Sequence, residues 1–302
     1  MKNKGLSYIR KMQMVFLWLL VMVLCLQLRA QKPLTRTMLM LSNVNTVDGL
    51  SSARVYSIVE ADDGAMWFST KRGVDRYNGQ QVKNYVLATE MQFSDACGRN
   101  IKLVKDSRQN IYAYDNKGKV YIYDKVKDTF QLQVNLANVL GGSIVLNELL
   151  VDGRGCLWMA LDRGVYMLGG NGKGKYIFRN TYVNHLRFIG RQLLIGSPSG
   201  VFVYSPHAGK SRLVWRGNSV LSSYHDVKAH QIWLGTFHRG VLLFDDRSWK
   251  PFPAMSKYAS LSEIPFIPVR SIIPYDDATV LMAVDGAGVY AYDKKTGRRA
   301  CS

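Results

Sequence analysis

A short unit centred on glycine recurs along the chain, and this recurrence constrains the fold more than any other feature. Each copy has an apolar, often aromatic segment, a short polar turn and a glycine that opens a second apolar segment, as in "MWFSTKRGVDRY" and "LWMALDRGVYML". The aligned glycines of the six copies are Gly73, Gly118, Gly164, Gly200, Gly240 and Gly288. Their spacings of 36 to 48 residues are typical of structural repeats or propeller blades.

Each unit also contains further short strands. An earlier strand is expected from Val55, Ile101, Glu148, His185, His225 and Val269, and outer strands from Gln81 and Thr129. Segments rich in Val, Ile, Tyr and Trp, separated by Gly, Asp and Asn, describe an antiparallel blade. One blade cannot bury both of its faces, but radial stacking can.

The sequence therefore predicts an all-β fold, a β-propeller of four-stranded blades. We expect about six recognisable repeats in an incomplete seven-bladed ring, with no seventh unit and a sixth unit without its outer strand. Trp67, Trp158 and Trp233 recur at one position of the repeat. Packing between blades is the simplest interpretation, and an aromatic platform for a sugar is the alternative.

The N-terminus resembles a secretory signal peptide over residues 1–30. Basic residues precede the apolar run Met14 to Leu26, and Leu28-Arg29-Ala30 offers a small residue for cleavage. An uncleaved membrane anchor is the rival reading, but the run is short of the roughly twenty residues that span a bilayer. Residues 31–302 then form the propeller domain of an exported protein.

The chain is strongly basic, with a formal net charge of +18, and it stays basic after the five cations of the leader are removed. In an exported protein this favours an acidic polysaccharide or a membrane surface over nucleic acid. A generally basic, solvated surface is an equal alternative. Cys97, Cys156 and Cys301 remain after export, and their irregular spacing matches neither a disulfide framework nor a metal site.

Catalytic motifs have little support, so we expect no catalytic residue, no metal and no cofactor. The five histidines show no HExxH spacing, and Pro198 stands where a nucleophile elbow needs Ser. The glycine-rich stretch 169–175 precedes no helix, which favours a hairpin tip over a phosphate loop. A propeller lyase or sialidase-like enzyme acting on polysaccharide, or a protein-interaction propeller, stays open as an alternative function.

Residues 48–79, "DGLSSARVYSIVEADDGAMWFSTKRGVDRYNG", resemble the two-component regulator propeller repeat. The motif elements Gly-Leu-Ser-Ser, Asp-Gly, Trp-Phe, Gly-Val and Arg-Tyr-Asn-Gly follow in the order of that family. The resemblance extends over roughly residues 38–302 and is specific in the first, third and fifth units. Later copies depart from the pattern, because Tyr112 and Leu194 replace the Trp.

The resemblance implies the periplasmic sensor of a hybrid two-component histidine kinase of gut Bacteroidetes. That family has two tandem seven-bladed propellers, a β-sandwich, a membrane helix and a kinase core, and it senses oligosaccharides. By this resemblance the chain is a periplasmic sensor module without the kinase, and so not itself an enzyme. It would bind an oligosaccharide, possibly acidic, form a homodimer in the full-length sensor, bind no nucleic acid, and associate with the membrane only through segments downstream.

The propeller plan also predicts where a ligand binds. Loops that join second to third strands, and loops that enter each blade, gather on one face around the axis. The first set is predicted to contain Lys71, Arg72, Lys117, Arg163, His238 and Arg239. The second set is predicted to contain Arg54, Asn100, His185, His225 and Arg270. Arg and Lys on this face could hold carboxylates or sulfates, with ordinary solvated turns as the alternative.

Overall fold

Six antiparallel sheets follow one another along the chain and form the blades of a β-propeller. The computed structural model describes residues 43–87, 100–252, 261, 267–297 and 299–301. The predicted signal peptide lies outside these residues. All the strands belong to one unit, Val44–Ser302.

Within each sheet the strands are joined in sequence order, so each blade is a simple meander. Blade one contains β1 Val55–Glu60, β2 Met66–Thr70, β3 Gly73–Tyr77 and β4 Val82–Tyr85. Blade two contains β5 Ile101–Lys105, β6 Ile111–Asp115, β7 Lys119–Asp124 and β8 Thr129–Asn135. Blade three contains β9 Leu146–Val151, β10 Leu157–Leu161, β11 Gly164–Leu168 and β12 Gly174–Arg179.

The second half repeats the pattern. Blade four contains β13 His185–Ile189, β14 Gln192–Ser197, β15 Gly200–Ser205 and β16 Lys210–Arg216. Blade five contains β17 Val220–Asp226, β18 Gln231–Thr236 and β19 Val241–Asp245. Blade six contains β20 Val269–Pro274, β21 Thr279–Val284, β22 Gly288–Asp293 and β23 Arg299–Cys301.

These bounds confirm the predicted all-β propeller and correct two details. Blade six has an outer strand, β23, which the sequence analysis did not expect. Blade five shows three strands among the described residues, and Pro251 forms a bridge to Phe244 where a fourth strand would begin. A short helix, α1 Leu136–Leu140, follows blade two and buries Leu136.

The core consists of layers between successive blades. Inner strands β1, β5, β9, β13, β17 and β20 pack one against the next. Trp67 packs with Ile101 and Leu103 of blade two, and Trp233 packs with Val269 of blade six. Trp158 likewise contacts residues of blade four, so the packing interpretation of the three tryptophans is confirmed.

The first and last blades each leave a large apolar side chain of the inner strand exposed to solvent. Ile58 on β1 is 55% exposed, and Ile273 on β20 is 52% exposed. Leu149, which occupies the position of Ile58 in the register of blade three, is 1% exposed. The described strand neighbours of β1 that pack extensively against it are β2 and β5. Ile58 and Ile273 are therefore less covered than the corresponding positions of the blades between them.

Candidate functional site

The turns between second and third strands lie on one face of the propeller, together with the starts of the inner strands. We call this the entry face, and the opposite face, which carries the turns between first and second strands, the far face. Glycine opens the third strand because the backbone is crowded there. A Cβ at Gly164, which has a φ of +143°, would lie 2.0 Å from the carbonyl oxygen of Phe178. Gly73 has a φ of +149° and an equivalent contact of 2.3 Å with Tyr85.

The residues predicted for the first set of loops all occupy these turns. They are Lys71 and Arg72 in blade one, Lys117 in blade two, Arg163 in blade three, and His238 and Arg239 in blade five. All six are exposed. Arg163 Nη2 donates to the carbonyl oxygen of Ser143 at 2.5 Å. The entry face therefore carries a set of basic side chains distributed over four blades.

The second predicted set is mostly at the same face. Arg54 and Asn100 immediately precede β1 and β5, while His185 and Arg270 are the first and second residues of β13 and β20. Arg270 forms an ion pair with Asp285 at 2.6 Å.

The placement of His225 on the entry face is wrong. The inner strand of blade five begins at Val220 rather than at His225, so His225 lies next to last in β17, near the far face. There it is 2.8 Å from Asp246. The predicted strand began too late because Ser222 and Ser223 interrupt the apolar pattern in this blade. Both serines make hydrogen bonds to neighbouring blades, which explains why polar residues occupy an inner strand.

Polar contacts join the inner strands of every successive pair of blades near the axis. We call this series the inner belt. Its contacts, in chain order, are Leu103 N to Ser57 Oγ, Lys102 Nζ to Asn147 O, Leu186 N to Glu148 Oε2, Arg187 Nη1 to Ser223 O, and Ser222 Oγ to Val269 O. Their lengths lie between 2.6 and 2.9 Å. The belt supplements the apolar layers with directional bonds between blades.

His185 lies between Glu148 and Ser223 of the belt in the order of a hydrolase triad, but its Nδ1 forms no hydrogen bond within the described residues. His185 Nδ1 is 2.8 Å from Glu148 Oε2, and His185 Nε2 is 2.7 Å from Ser223 Oγ. However, Ser223 is only 5% exposed and lies within the paired strand β17. A substrate carbonyl cannot approach this hydroxyl without opening the blades. We interpret the three residues as a clamp between blades three, four and five.

Two cations of the inner belt have lowered pKa values, although the Lys102 side chain is exposed and that of Arg187 is half-buried. Burial lowers the pKa of Lys102, although Glu148 acts in the opposite direction, and the charge of Arg270 lowers it further. Burial also lowers the pKa of Arg187, again opposed by Glu148. Glu148 of blade three thus acts on cations of both neighbouring blades, and Arg270 of blade six acts on Lys102. Lys102, Glu148 and Arg187 were not predicted as site residues. Their strands belong to different blades and become neighbours only when the blades stack.

The far face holds two clefts that the sequence did not reveal. One, of about 670 Å³, lies between blades five and six and contains the ion pairs Asp226–Lys294 and Lys228–Asp277. The other, of about 440 Å³, lies between blades one and two and includes Asp63, Trp67 and Arg76. Burial would raise the pKa of Asp226, but the Lys294 ammonium and the Ala229 N–H produce a net lowering. The two ion pairs of the first cleft join blade five to blade six.

Among the described residues, no group of three or more His, Cys, Asp or Glu side chains is arranged to hold a metal ion. Likewise, the described part of the chain contains no helix of sufficient length and hydropathy to span a membrane. Cys156 is a free thiol.

Several solved structures share the fold of this chain, and a family model matches its first repeat. The extracellular domain of the putative hybrid two component system BT3049 from B. thetaiotaomicron aligns with a TM-score of 0.66 and 19% identity, over 84% of this chain and 35% of that one. The extracellular domain of the putative one component system BT4673 from the same organism gives 0.64 and 17%, over 82% and 33%. The computationally designed Ika8 protein gives 0.55 and 11%, over 81% and 72%. These likenesses establish the β-propeller fold.

The repeat itself is identified in blade one. The sequence model of the Two component regulator propeller family matches residues 49–72, which confirms the resemblance seen in the sequence. No curated protein matches the chain. The chain spans about a third of the length of the two B. thetaiotaomicron structures.

Proposed function

We propose that this chain is the sensor propeller of a two-component regulatory system and acts outside the cytoplasm. Two observations support the proposal. Blade one contains the family's repeat, and the fold is similar to extracellular domains of proteins described as two component and one component systems. The proposal extends to a periplasmic location reached through the signal peptide at residues 1–30. It also extends to a membrane-anchored kinase downstream and to homodimers of the full-length sensor.

The ligand we propose is an acidic oligosaccharide bound on the entry face. The observation that carries this proposal is the repeated placement of exposed cations in the turns of successive blades. Arg can contact a carboxylate or sulfate with two parallel hydrogen bonds, whereas Lys acts as a point charge. Several charges on one face also attract an anionic ligand from a distance and speed its association.

A sensor would bind this ligand without converting it. The test begins with the full chain and a panel of acidic and neutral oligosaccharides, measured by calorimetry at two salt concentrations. Products of each mixture are examined by chromatography. Degradation of the bound glycan would instead support a propeller enzyme, and exclusive binding of a protein partner would support an interaction scaffold.

A triple variant then tests the entry face. Arg72→Ala, Arg163→Ala and Arg239→Ala together should weaken binding of an acidic oligosaccharide and reduce its dependence on salt. The matched control replaces Arg108, Arg154 and Arg212, which lie on the far face or on the outer strand β16. Equal affinity of the triple variant and wild type would contradict the proposal that cations of the entry face bind the ligand. Binding of neutral glycans alone would contradict it too.

A further inference from the structure

The far-face cleft between blades one and two lies where each of the next two blades has a carboxylate. The residue that follows the inner strand is Asp106 in blade two and Asp152 in blade three. Asp106 Oδ2 accepts from the hydroxyl of Tyr112 at 3.4 Å, and Asp152 Oδ2 accepts from the indole N–H of Trp158 at 3.0 Å. Blade one has Ala61 at this position, and its methyl group can accept nothing. We call the space beside it the Ala61 cleft.

The Ala61 cleft contains a buried donor that the fold leaves unpaired. Trp67 occupies the strand position of Tyr112 and Trp158, and it lines the cleft together with Ala61. Trp67 is only 2% exposed, and its indole N–H has no acceptor among the described residues. Because the corresponding side chains in blades two and three direct their donors at the residue after the inner strand, the repeat directs the Trp67 donor toward Ala61.

The wall formed by blade two contains an unpaired acceptor. Gln109, in the turn between β5 and β6, lines the cleft and is half-buried. Its Oε1 atom is buried and has no donor among the described residues. A buried polar atom without a partner destabilises the folded state by about as much as a lost hydrogen bond. A ligand that supplies an acceptor to Trp67 and a donor to Gln109 would remove both penalties.

The charges around the cleft favour a neutral ligand. The lining includes three carboxylates, of Asp62, Asp63 and Asp128, and two cations, Arg76 and Lys125. Both cations are paired, Arg76 with Asp63 at 2.6 Å and Lys125 with Asp62 at 3.8 Å. An anionic ligand would therefore meet an excess of negative charge. A cationic group would leave the indole donor unpaired, because it offers no acceptor.

We propose that the Ala61 cleft binds a small neutral polyol, with a hydroxyl oxygen that accepts from the Trp67 indole N–H. A hydroxyl group is both a donor and an acceptor, so a polyol can satisfy Trp67 and Gln109 together. The cleft volume of about 440 Å³ lies within the range of roughly 300 to 1,000 Å³ that is usual for small-molecule sites. Tyr123, whose ring lies 4.7 Å from that of Trp67, adds apolar surface for carbon-bound hydrogens. This site lies on the face opposite the proposed oligosaccharide site and does not depend on it.

A buried water molecule is the alternative occupant, since water can also accept from Trp67 and donate to Gln109. The two occupants predict different behaviour. A cleft that holds only water should show no saturable response to any polyol. A polyol that binds there should change the environment of the Trp67 indole N–H, and the NMR resonance of that group reports the change directly.

The experiment titrates the full chain, with isotope-labelled tryptophan, against glucose, sodium glucuronate and protonated glucosamine at constant ionic strength. These probes share one ring and differ in charge. The Trp67 resonance is assigned by its absence from the spectrum of Trp67→Phe. We expect glucose to shift this resonance in a saturable manner and to bind more tightly than either charged probe. Saturation separates binding from the general effect of sugars as cosolvents, which grows steadily with concentration.

Ala61→Asp is the test variant, because it places a carboxylate where blades two and three have one. The new side chain should accept from Trp67, occupy the cleft and weaken glucose binding by at least about tenfold. Ser107→Asp is the matched control, since it adds a carboxylate to an exposed far-face turn outside the cleft lining. Gln109→Met removes the unpaired amide and should weaken glucose by about three- to tenfold. This second variant keeps the test decisive if Ala61→Asp fails to fold.

Three results would overturn the polyol site. The first is a Trp67 resonance that shows no saturable shift with any of the three probes. The second is unchanged glucose affinity in Ala61→Asp and Gln109→Met, and the third is tighter binding of glucuronate or glucosamine than of glucose. The triple variant of Arg72, Arg163 and Arg239 should retain the glucose response. Failure of the entry-face proposal is therefore distinguishable from failure of the Ala61 cleft.

Discussion

Blade one and blade three have the same strand order and a tryptophan at the same position. They differ in how far the inner strand is covered and in the hydrogen bonding of the tryptophan. Leu149 of blade three is buried against Tyr112 and Val120 of blade two, whereas its counterpart Ile58 is mostly exposed. The indole N–H of Trp158 donates to Asp152 at 3.0 Å, while that of Trp67 is buried and has no acceptor among the described residues. In blade three a neighbouring blade covers Leu149 and a turn carboxylate accepts from the tryptophan indole. Blade one lacks both features.

The missing acceptor in blade one has a simple origin. Asp152 begins the turn before the second strand of blade three, and the residue at that position in blade one is Ala61. Asp152 also accepts from the backbone N–H groups of Arg154 and Cys156. In blade one Asp63, two residues further on, pairs with Arg76 at 2.6 Å. The guanidinium lies 5.8 Å from the centre of the Trp67 ring.

The largest expected difference between the two blades concerns their inner strands. Leu149→Ala should lower the free energy of unfolding by about 3 to 4 kcal/mol, because it leaves a cavity in a closed layer. Ile58→Ala should cost less than about 1 kcal/mol, because solvent already covers most of that side chain. Urea titrations of both variants measure this directly. Equal losses would mean that blade one is covered in solution.

Substitution of the crowded turn glycines should destabilise blade one and blade three by similar amounts. Gly164→Ala and Gly73→Ala each place a Cβ against a carbonyl oxygen and also require an unfavourable positive φ. We expect each to cost about 2 to 3 kcal/mol. Gly170→Ala is the matched control, because a Cβ there meets no atom within 4 Å. A neutral effect at Gly164 in thermal melts would disprove this account of the turn.

The turn carboxylate should produce opposite effects in the two blades. Asp152→Ala leaves the Trp158 indole and two backbone donors unpaired and should cost about 2 kcal/mol. Ala61→Asp supplies an acceptor to Trp67 and should stabilise the protein by about 1 kcal/mol. Ala61→Asn, which offers a neutral acceptor, controls for the added charge beside Asp62 and Asp63. Destabilisation by Ala61→Asp would show that Trp67 is satisfied in another way.

The smallest effect belongs to the ion pair of blade one. The Ala65 N–H and then the Arg76 guanidinium hold the pKa of Asp63 below its usual value, against the opposing effect of burial. Because the folded pKa is lowered, the stabilisation is present above the unfolded pKa of about 4 and disappears as the pH falls through the folded value. Half of the Asp63 side chain is exposed, so Asp63→Asn should cost less than about 1 kcal/mol at pH 7. Melting curves from pH 7 to pH 2 should show the variant and wild type converging, and a constant gap would contradict this.

The sequence predicted the fold well because the repeat is local. Spacing of the glycines and alternation of apolar segments gave the blades, the buried tryptophans and the turn residues such as Arg72 and Arg163. The predicted start of β17 was wrong, because Ser222 and Ser223 interrupt the apolar pattern of the strand. Both serines form hydrogen bonds to neighbouring blades instead. The contact between Arg187 and Ser223 was not predicted, since the two residues are distant in sequence and only the stacking of blades four and five brings them together.

The inner belt also bears on how the chain reaches this structure. Its five contacts join residues 36 to 47 positions apart, which is one repeat in every case. The entropy of loop closure grows slowly with length, so each docking step carries nearly the same entropic cost. Folding can then proceed blade by blade as the chain is synthesised, each new blade docking on the one before it, and its rate should depend little on the number of blades already formed.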